Sequence, residues 1–181
     1  MNSHGWVRPD WAQRRGWVAA LACLAALALP ALGSATVAVL GDDALVGLSS
    51  TIAEGRVVAL HSEWNDDHNQ IHTIVTIRVS RLMKGAMPSD GHLVLRLLGG
   101  QVDDLVMEVV DQPTFALGEE VIVFVRKNPR HFMPVTGLYQ GKFTIVDDPG
   151  SGVQSVVERA MSREDFVREV SRLIAIDAGV R

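Results

Sequence analysis

Cysteine is the residue that this chain most clearly lacks. The 181-residue sequence contains one, Cys23, and it lies inside an N-terminal segment that the sequence predicts to be removed. Without a thiol beyond that segment, the chain can form no disulfide framework, no thiolate metal site and no cysteine nucleophile. Stability must then come from a hydrophobic core, and about 146 residues can bury roughly two-thirds of their surface on folding.

Aromatic and basic side chains are also scarce. Beyond residue 35, Trp64 and Tyr139 are the only tryptophan and tyrosine, so platforms for base stacking are poorly supplied. The net charge is −4 for the whole chain, and it becomes −6 without the first 35 residues, which hold three arginines and one aspartate. A mildly acidic domain lacks the basic stripe that nucleic-acid binding requires. The sequence therefore predicts no nucleic-acid partner.

Catalytic motifs are absent as well. The sequence has no Gly-x-Ser-x-Gly elbow, no glycine-rich phosphate loop and no HExxH motif. The pairs Asp103-Asp104 and Asp147-Asp148 stand near turn-forming residues and are interpreted as turn positions. We therefore predict a non-enzymatic protein without a cofactor. A hydrolase with a dispersed carboxylate site is one alternative, because catalytic residues need only meet in space.

The first 35 residues have the pattern of a secretory signal peptide. A basic start with Arg8, Arg14 and Arg15 precedes an uncharged Ala/Leu run, and Gly33 to Ala35 supplies small residues for cleavage. The run is shorter than the ~20 residues of a membrane-spanning helix, which favours cleavage over anchoring. Arg14-Arg15 resembles a twin-arginine signal, although an ordinary basic start fits equally well. The sequence predicts an exported, periplasmic or secreted protein with no membrane contact after cleavage.

The rest of the chain is predicted to form mainly strands. In the stretch 71–85 branched apolar residues alternate with polar ones, which predicts one long strand with a buried face. Gly55 predicts a bulge or a close backbone approach in the strand before it. Asp42–Leu48 is predicted to form a short helix capped by its aspartates. The other predicted strands are 52–61, 92–98, 105–110, 120–126, the pair 132–139 and 142–146, and an edge strand 153–157.

The end of the chain changes to a helical period. Ser162 to Asp165 resembles a capping box, and apolar residues then recur at helical spacing from Phe166 to Ile174. This predicts one amphipathic helix over 162–176 that packs on the sheet. Together the patterns predict a single mainly β domain over 36–181, either a small OB-like β-barrel or a sandwich, with one C-terminal helix.

Two parts of the pattern resemble known families. The succession of Ile52 to Val58, a polar loop, and Ile77 to Gly85 resembles the opening of netrin-like modules, the five-stranded OB-type barrels found in tissue inhibitors of metalloproteinases. The later pattern, with Gly99-Gly100 and Gly137 to Phe143, resembles uncharacterised exported bacterial proteins. The resemblance implies an OB-type barrel and a possible inhibitor of an exported protease. Those inhibitors place an N-terminal cysteine on the protease zinc, and this predicted mature chain has none, so their mechanism does not carry over.

The hairpin loop from His61 to His72 is the part richest in chemistry. It holds three histidines and three carboxylates, which suggests a metal site. However, His68 and His72 would lie about 13 Å apart in an extended chain, and the spacing of a calcium loop is missing. We therefore predict no metal, and interpret the loop as a solvated hairpin tip or a recognition loop.

The predicted binding site follows from how OB-type barrels bind ligands. They bind them over the second and third strands, beside the first hairpin loop and the loop between the fourth and fifth strands. The main functional prediction is an exported binding or accessory module whose partner, not identifiable from the sequence, could be another exported protein. Trp64 either serves that partner or packs as a lid on the barrel end, and we expect the lid. The residues that this mapping gathers are His61, Trp64, Arg78, Arg96, Arg130 and His131.

Overall fold

Two long antiparallel strands form the centre of the fold. The computed structural model describes residues 39–126, 133–148, 150 and 152–180. Strands β1 (Ser49–Trp64) and β2 (Ile71–Lys84) pair from Ile52↔Lys84 to Trp64↔Ile71. The predicted long strand and its hairpin partner are therefore confirmed, and β1 begins three residues earlier than predicted.

The remaining strands extend this pair on both sides. Within the described residues, one seven-stranded antiparallel sheet has the order β3-β2-β1-β6-β7-β8-β9, and β4 and β5 form a separate hairpin. Strand accounts for 47% of the structure, which confirms the mainly β prediction, and the sheet is not closed into a barrel. Of the two predicted architectures, the small sandwich with a C-terminal helix fits. The further strands are β3 (His92–Leu98), β4 (Gly100–Val102), β5 (Leu105–Met107), β6 (Glu120–Arg126), β7 (Lys142–Asp147), β8 (Gln154–Val156) and β9 (Met161–Ser162).

Two helices cover one face of the sheet. Helix α1 spans Asp42–Leu48 and helix α2 spans Arg163–Val180, and two 3-10 turns lie at Leu138–Gly141 and Val157–Arg159. The buried faces of α1 and α2 form one hydrophobic cluster with the sheet. At its centre lie three phenylalanine rings whose centroids are 4.6 and 5.3 Å apart. Those rings are Phe124, Phe143 and Phe166.

A second hydrophobic cluster forms on the other face of the sheet. Residues such as Val75, Leu95 and Val123 come from β2, β3 and β6, and segments between the strands add Phe115 and Val135. In strands that contribute to both clusters, successive side chains point alternately into one cluster and the other. In β6 all five central residues are therefore buried. A strand buried on both faces reads as a continuous apolar run, which is why the sequence predicted β6 with its bounds correct.

The start of α2 has the serine half of the capping box that the sequence predicted. The Ser162 hydroxyl accepts a hydrogen bond from the backbone N–H of Asp165 at 3.1 Å and donates to its carboxylate at 2.7 Å. The helix extends four residues beyond the predicted end. Capping of α1 by its aspartates is wrong: Gly41 occupies the N-cap position, and Asp42 and Asp43 lie in the first turn. Their negative charges there interact favourably with the helix dipole.

Gly55 sits where a side chain could not be accommodated. A Cβ atom at this position would lie 2.3 Å from the carbonyl oxygen of Arg78, and the β1–β2 register shifts between Glu54 and Gly55. The predicted bulge and close backbone approach are both confirmed. The close approach brings the backbone of Arg78 against β1.

The predicted strand 142–146 is confirmed as β7, but its predicted partner strand 132–139 is wrong. Phe132 lies outside the described residues, Val135 forms a single bridge to Val125, and Gly137 turns the chain with φ of +67° into the 3-10 turn. Strand β7 pairs with β6 instead. The predicted strand 105–110 also ends early, at Met107, because it pairs only with the three-residue β4.

The predicted signal peptide and Cys23 lie outside the described residues, and both remain predictions. From Val39 onward the chain forms one compact unit. Among the helices that the structure describes, none combines the length and the apolar character needed to cross a bilayer.

Candidate functional site

The structure divides the predicted binding residues between the two faces of β1–β3. His61 and Arg96 flank Ile74 in one row across the three strands, because Ile74 pairs with both of them. Arg78 lies four residues along β2 from Ile74 and therefore on the same face. Trp64 lies three residues from His61 and falls on the opposite face. Arg130 and His131 lie outside the described residues.

Arg78 is the middle residue of a basic row. It is directly opposite Arg56 on β1 and directly opposite His92 on β3, and these three residues are called the basic row below. Like charges directly opposite each other on neighbouring strands are destabilising. Arg56 is neutralised by Glu120 of β6, whose carboxylate lies 2.5 Å from its guanidinium. Arg78 has no ion pair or side-chain hydrogen bond to any residue that the structure describes.

The two arginines of the basic row lie beside a polar groove of about 430 Å³. Arg56 and Arg78 line it from the sheet, and Arg163 lines it from the start of α2. Two carboxylates, Glu54 and Glu120, face the same groove. The groove therefore presents three guanidinium groups and two carboxylates, and Arg78 supplies the unmatched positive charge.

Glu54 is the buried charge at the base of this groove. It is 4% exposed, and its Oε1 accepts a hydrogen bond from Nε of Arg163 at 3.0 Å and a second one from the same guanidinium. Its Oε2 lies 3.8 Å from Nε of Arg81, too far for a hydrogen bond, and has no hydrogen-bond donor among the described residues. A buried carboxylate is costly unless it is paired. Glu54 thus ties α2 to β1 electrostatically.

Sequence reasoning did not select Glu54, although a signal was present. Glu54 follows Ile52 at the two-residue period of a strand, so it falls on the face that carries core residues. A carboxylate at such a position requires a cationic partner. The partner, Arg163, is 109 residues away along the chain, and only the fold brings the two together.

His72 is a second residue that the binding prediction omitted. The residue is 7% exposed, and its Nδ1 lies 3.3 Å from a guanidinium nitrogen of Arg96. Burial lowers the pKa of His72 below its ordinary 6.5, and the charge of Arg96 lowers it further, while the carboxylate of Glu63 acts in the opposite direction. A neutral imidazole can accept the hydrogen bond from Arg96. The predicted residue Arg96 is therefore held against His72 rather than against a carboxylate.

Trp64 is not the lid that we expected. It is partly buried, it belongs to neither hydrophobic cluster, and its ring stacks on His68 with centroids 6.3 Å apart. The turn is closed instead by Asn65, whose side-chain oxygen accepts hydrogen bonds from the backbone N–H groups of Asn69 and Gln70. These bonds hold the hairpin tip without using the tryptophan as a cap.

The loop histidines do not converge on a metal site in the described part of the chain. No group of three or more His, Cys, Asp or Glu residues there is placed to hold an ion. The Nε2 atom of His61 lies 3.6 Å from the carboxylate of Glu63, and both side chains are about half exposed. This pair is a surface contact on the same face as Arg78.

Comparison with known proteins assigns no family to the chain. No family model matches it, and no curated protein is significantly similar to it. The functional argument therefore rests on the groove and the charges within it.

Proposed function

We propose that this protein is an exported, non-enzymatic binding module whose basic row holds a carboxylate group of a partner protein. One observation carries the proposal: Arg78 lines the groove without an anionic partner among the described residues, whereas the arginines beside it, Arg56 and Arg163, are paired with carboxylates.

The chemistry of the basic row favours a carboxylate ligand. A guanidinium group presents parallel N–H donors that match the two oxygens of a carboxylate. A bound carboxylate would also relieve the repulsion between Arg78 and Arg56, which lies directly opposite it on β1. The chain itself carries a net charge of −4, so it does not attract acidic partners at long range. Recognition therefore depends on contacts inside the groove.

Two other functions predict different behaviour of the same groove. A hydrolase would use Glu54 and Glu120 as its carboxylate pair, since both face the groove. In the structure each is already held by an arginine, Glu54 by Arg163 and Glu120 by Arg56. This arrangement favours a binding role over an acid–base role. The hypothesis that the protein inhibits a protease rests on the sequence resemblance alone, and no observation in the groove supports it.

Binding of matched peptides tests the proposal. A fluorescent peptide rich in glutamate is titrated into the protein, and the same peptide with glutamine at those positions serves as its uncharged match. We expect the acidic peptide to bind more tightly, with an affinity that falls as salt is added. The variant Arg78→Gln should weaken this binding about tenfold, because it removes one charge-assisted interaction of roughly 1.5 kcal/mol.

The control variant is Arg168→Gln on the exposed side of α2, where Arg168 pairs with Asp165 at 2.9 Å. It removes the same charge from a residue that is not among those lining the groove, and it should leave the affinity unchanged. Equal losses in the two variants, or equal binding of the two peptides, would overturn the proposal. Hydrolysis of ester, glycoside or peptide substrates that is lost in Glu120→Gln would favour the enzyme, and inhibition of an exported protease would favour the inhibitor.

Export is tested separately by intact mass. We expect protein recovered from the periplasm or medium to lack about 35 residues, as cleavage near Ala35 predicts. Full-length protein in the membrane fraction would contradict this part of the proposal and leave the binding test unaffected.

A further inference from the structure

The outermost strand of the seven-stranded sheet has a free edge. Strand β3 (His92–Leu98) stands at one end of the strand order and pairs with β2 without a register shift. The strand at the other end, β9, has only two residues, and a short edge strand offers little backbone for pairing with another chain. Strand β3 therefore supplies the longer of the two edges of this sheet.

Hydrogen bonds at the two ends of β3 determine which of its backbone groups point away from β2. The N–H of Val79 donates to the carbonyl of Gly91 at 2.9 Å, and the N–H of Gly99 donates to the carbonyl of Ile71 at 2.7 Å. In an antiparallel ladder, residues that bond the neighbouring strand alternate with residues that do not. The odd-numbered residues of β3 therefore bond β2, and the even-numbered ones direct their N–H and C=O groups to the free edge.

This edge is open along most of its length. On their outer side, Val94, Arg96 and Leu98 make no backbone hydrogen bond to any residue that the structure describes, whereas the N–H of His92 is bonded to the side chain of Asp90 at 3.1 Å. Val94 is 55% exposed and Arg96 is exposed as well. The strand has no proline, lysine or bulge, which are devices that protect edge strands from pairing.

The charges of β3 select one register for pairing with a second copy of itself. Residues of the free edge must face residues of the free edge, and we consider the three antiparallel registers of largest overlap about a twofold axis. Two of these place Arg96 opposite Arg96 or His92 of the second copy, and like charges that face each other are destabilising. The third overlaps all of β3 and places Val94 opposite Arg96 in both directions, so no two basic side chains face each other.

The same register matches the inner face of the strand. Leu95 faces Leu95 of the second copy at the twofold axis, and Leu93 faces Leu97, so leucine meets leucine on that side. On the outer face, the aliphatic part of Arg96 lies over Val94 of the second copy. Two copies of β3 are therefore complementary to each other in side chains as well as in charge.

Backbone hydrogen bonds supply most of the gain from this pairing. The three free N–H groups of each copy meet carbonyl groups of the other, which gives about six hydrogen bonds per dimer. Leu95 and Leu97 are only 1% and 5% exposed in the single chain, so pairing buries little further apolar surface. Small interfaces of this kind are weak, and we expect a dimer that dissociates on dilution.

We propose that two copies of this protein pair through the free edges of their β3 strands, antiparallel about a twofold axis, and form one continuous sheet. A second copy is favoured over an unrelated peptide because β3 is complementary to itself. The contact uses the same surface on both copies and closes on itself, so it gives a dimer and no larger assembly. It is formed by the backbone of β3 and is independent of the proposed carboxylate site.

Sedimentation velocity at increasing protein concentration tests the dimer, and two substitutions at one exposed position test its register. Val94→Glu places a carboxylate opposite Arg96 of the second copy, and Val94→Lys places an ammonium group there. We expect the glutamate variant to dimerise about tenfold more tightly than the lysine variant, with a difference that shrinks as salt is added. The matched controls are Val157→Glu and Val157→Lys, because Val157 is also 55% exposed but follows β8, far from β3 in the strand order. These two should dimerise alike.

A third variant tests the backbone directly. Val94→Pro removes an outward N–H that β2 does not use, so circular dichroism should show a folded protein and dimerisation should weaken about tenfold. Dimerisation as tight as that of the native protein in Val94→Pro would overturn the proposal. Equal dimerisation of Val94→Glu and Val94→Lys, or a native protein that stays monomeric at every concentration, would also overturn it. If Val94→Pro does not fold, the glutamate and lysine variants decide the question alone.

Discussion

The half of the sheet under α2 and the outer face of β1–β3 differ in whether their charged side chains have partners of opposite charge. Near the helices, ion pairs hold Glu54 to Arg163, Asp42 to Arg159 and Lys84 to Asp177. On the outer face of β1–β3, Arg78 has no anionic partner among the described residues, and Arg96 is exposed and contacts a neutral imidazole. Burial makes an unpaired charge costly, so the helix-covered half had to match its charges. On the outer face of β1–β3 water solvates the charged groups, so they do not need a partner within the chain. The arginines there are therefore available to a partner protein.

The largest effect should come from placing an unmatched charge in the helix-covered half. Val170 is fully buried against the sheet. Val170→Asp should lower the free energy of unfolding by more than about 4 kcal/mol, because its carboxylate would be buried without a partner. Thermal denaturation followed by circular dichroism measures this. Ile176→Asp, at a position on the same helix that is 50% exposed, is the control and should melt close to the native protein. Equal melting of the two variants would show that α2 does not dock on the sheet.

Removing one partner of a matched pair should have an intermediate effect. Glu54→Gln keeps the shape of the side chain but removes its charge opposite Arg163, whose side chain is 23% exposed. We expect a loss of about 2 kcal/mol, the typical value for a hydrogen bond to a charged group. Glu169→Gln removes a carboxylate from an exposed pair with Arg172 and should change stability little. Urea unfolding compares the two, and similar losses would contradict the distinction between buried and exposed pairs.

The smallest effect concerns the pH dependence of stability on the open face. Because burial and Arg96 lower the pKa of His72 in the folded state, the unfolded chain binds this proton more readily. The stability that neutral His72 contributes is therefore complete above its unfolded pKa of 6.5 and is lost as the pH falls from there toward its folded pKa. His72→Gln should flatten the decline in unfolding free energy that sets in as the pH falls below 6.5. The control His68→Gln, in the exposed hairpin turn, should not. A decline of unchanged size in His72→Gln would contradict the assignment.

The sequence-based predictions were accurate for features that depend on neighbouring residues and less accurate for the others. The strands 92–98 and 120–126, the helix cap by the Ser162 hydroxyl and the close approach at Gly55 were predicted correctly, since each depends on the period or the conformational freedom of neighbouring residues. The segment 132–139 was misassigned because Gly137 can turn with positive φ, which an apolar pattern does not reveal. Of the predicted binding residues, His61, Arg78 and Arg96 share a face and Trp64 lies on the other, and only Arg78 lines the groove among the described residues.

The sequence by itself determined the mainly β class, the long central hairpin and the amphipathic terminal helix, because alternation, helical spacing and capping act over a few residues. Only the tertiary structure decided which charges are matched. Glu54 and Arg163 lie 109 positions apart, and Asp42 and Arg159 lie 117 apart, so no local pattern could pair them. The strand register placed Arg78 between two basic neighbours, and the packing of segment 112–115 buried the amide of Gln112. Both features arise from contacts between distant parts of the chain, and a sequence read in order does not contain that information.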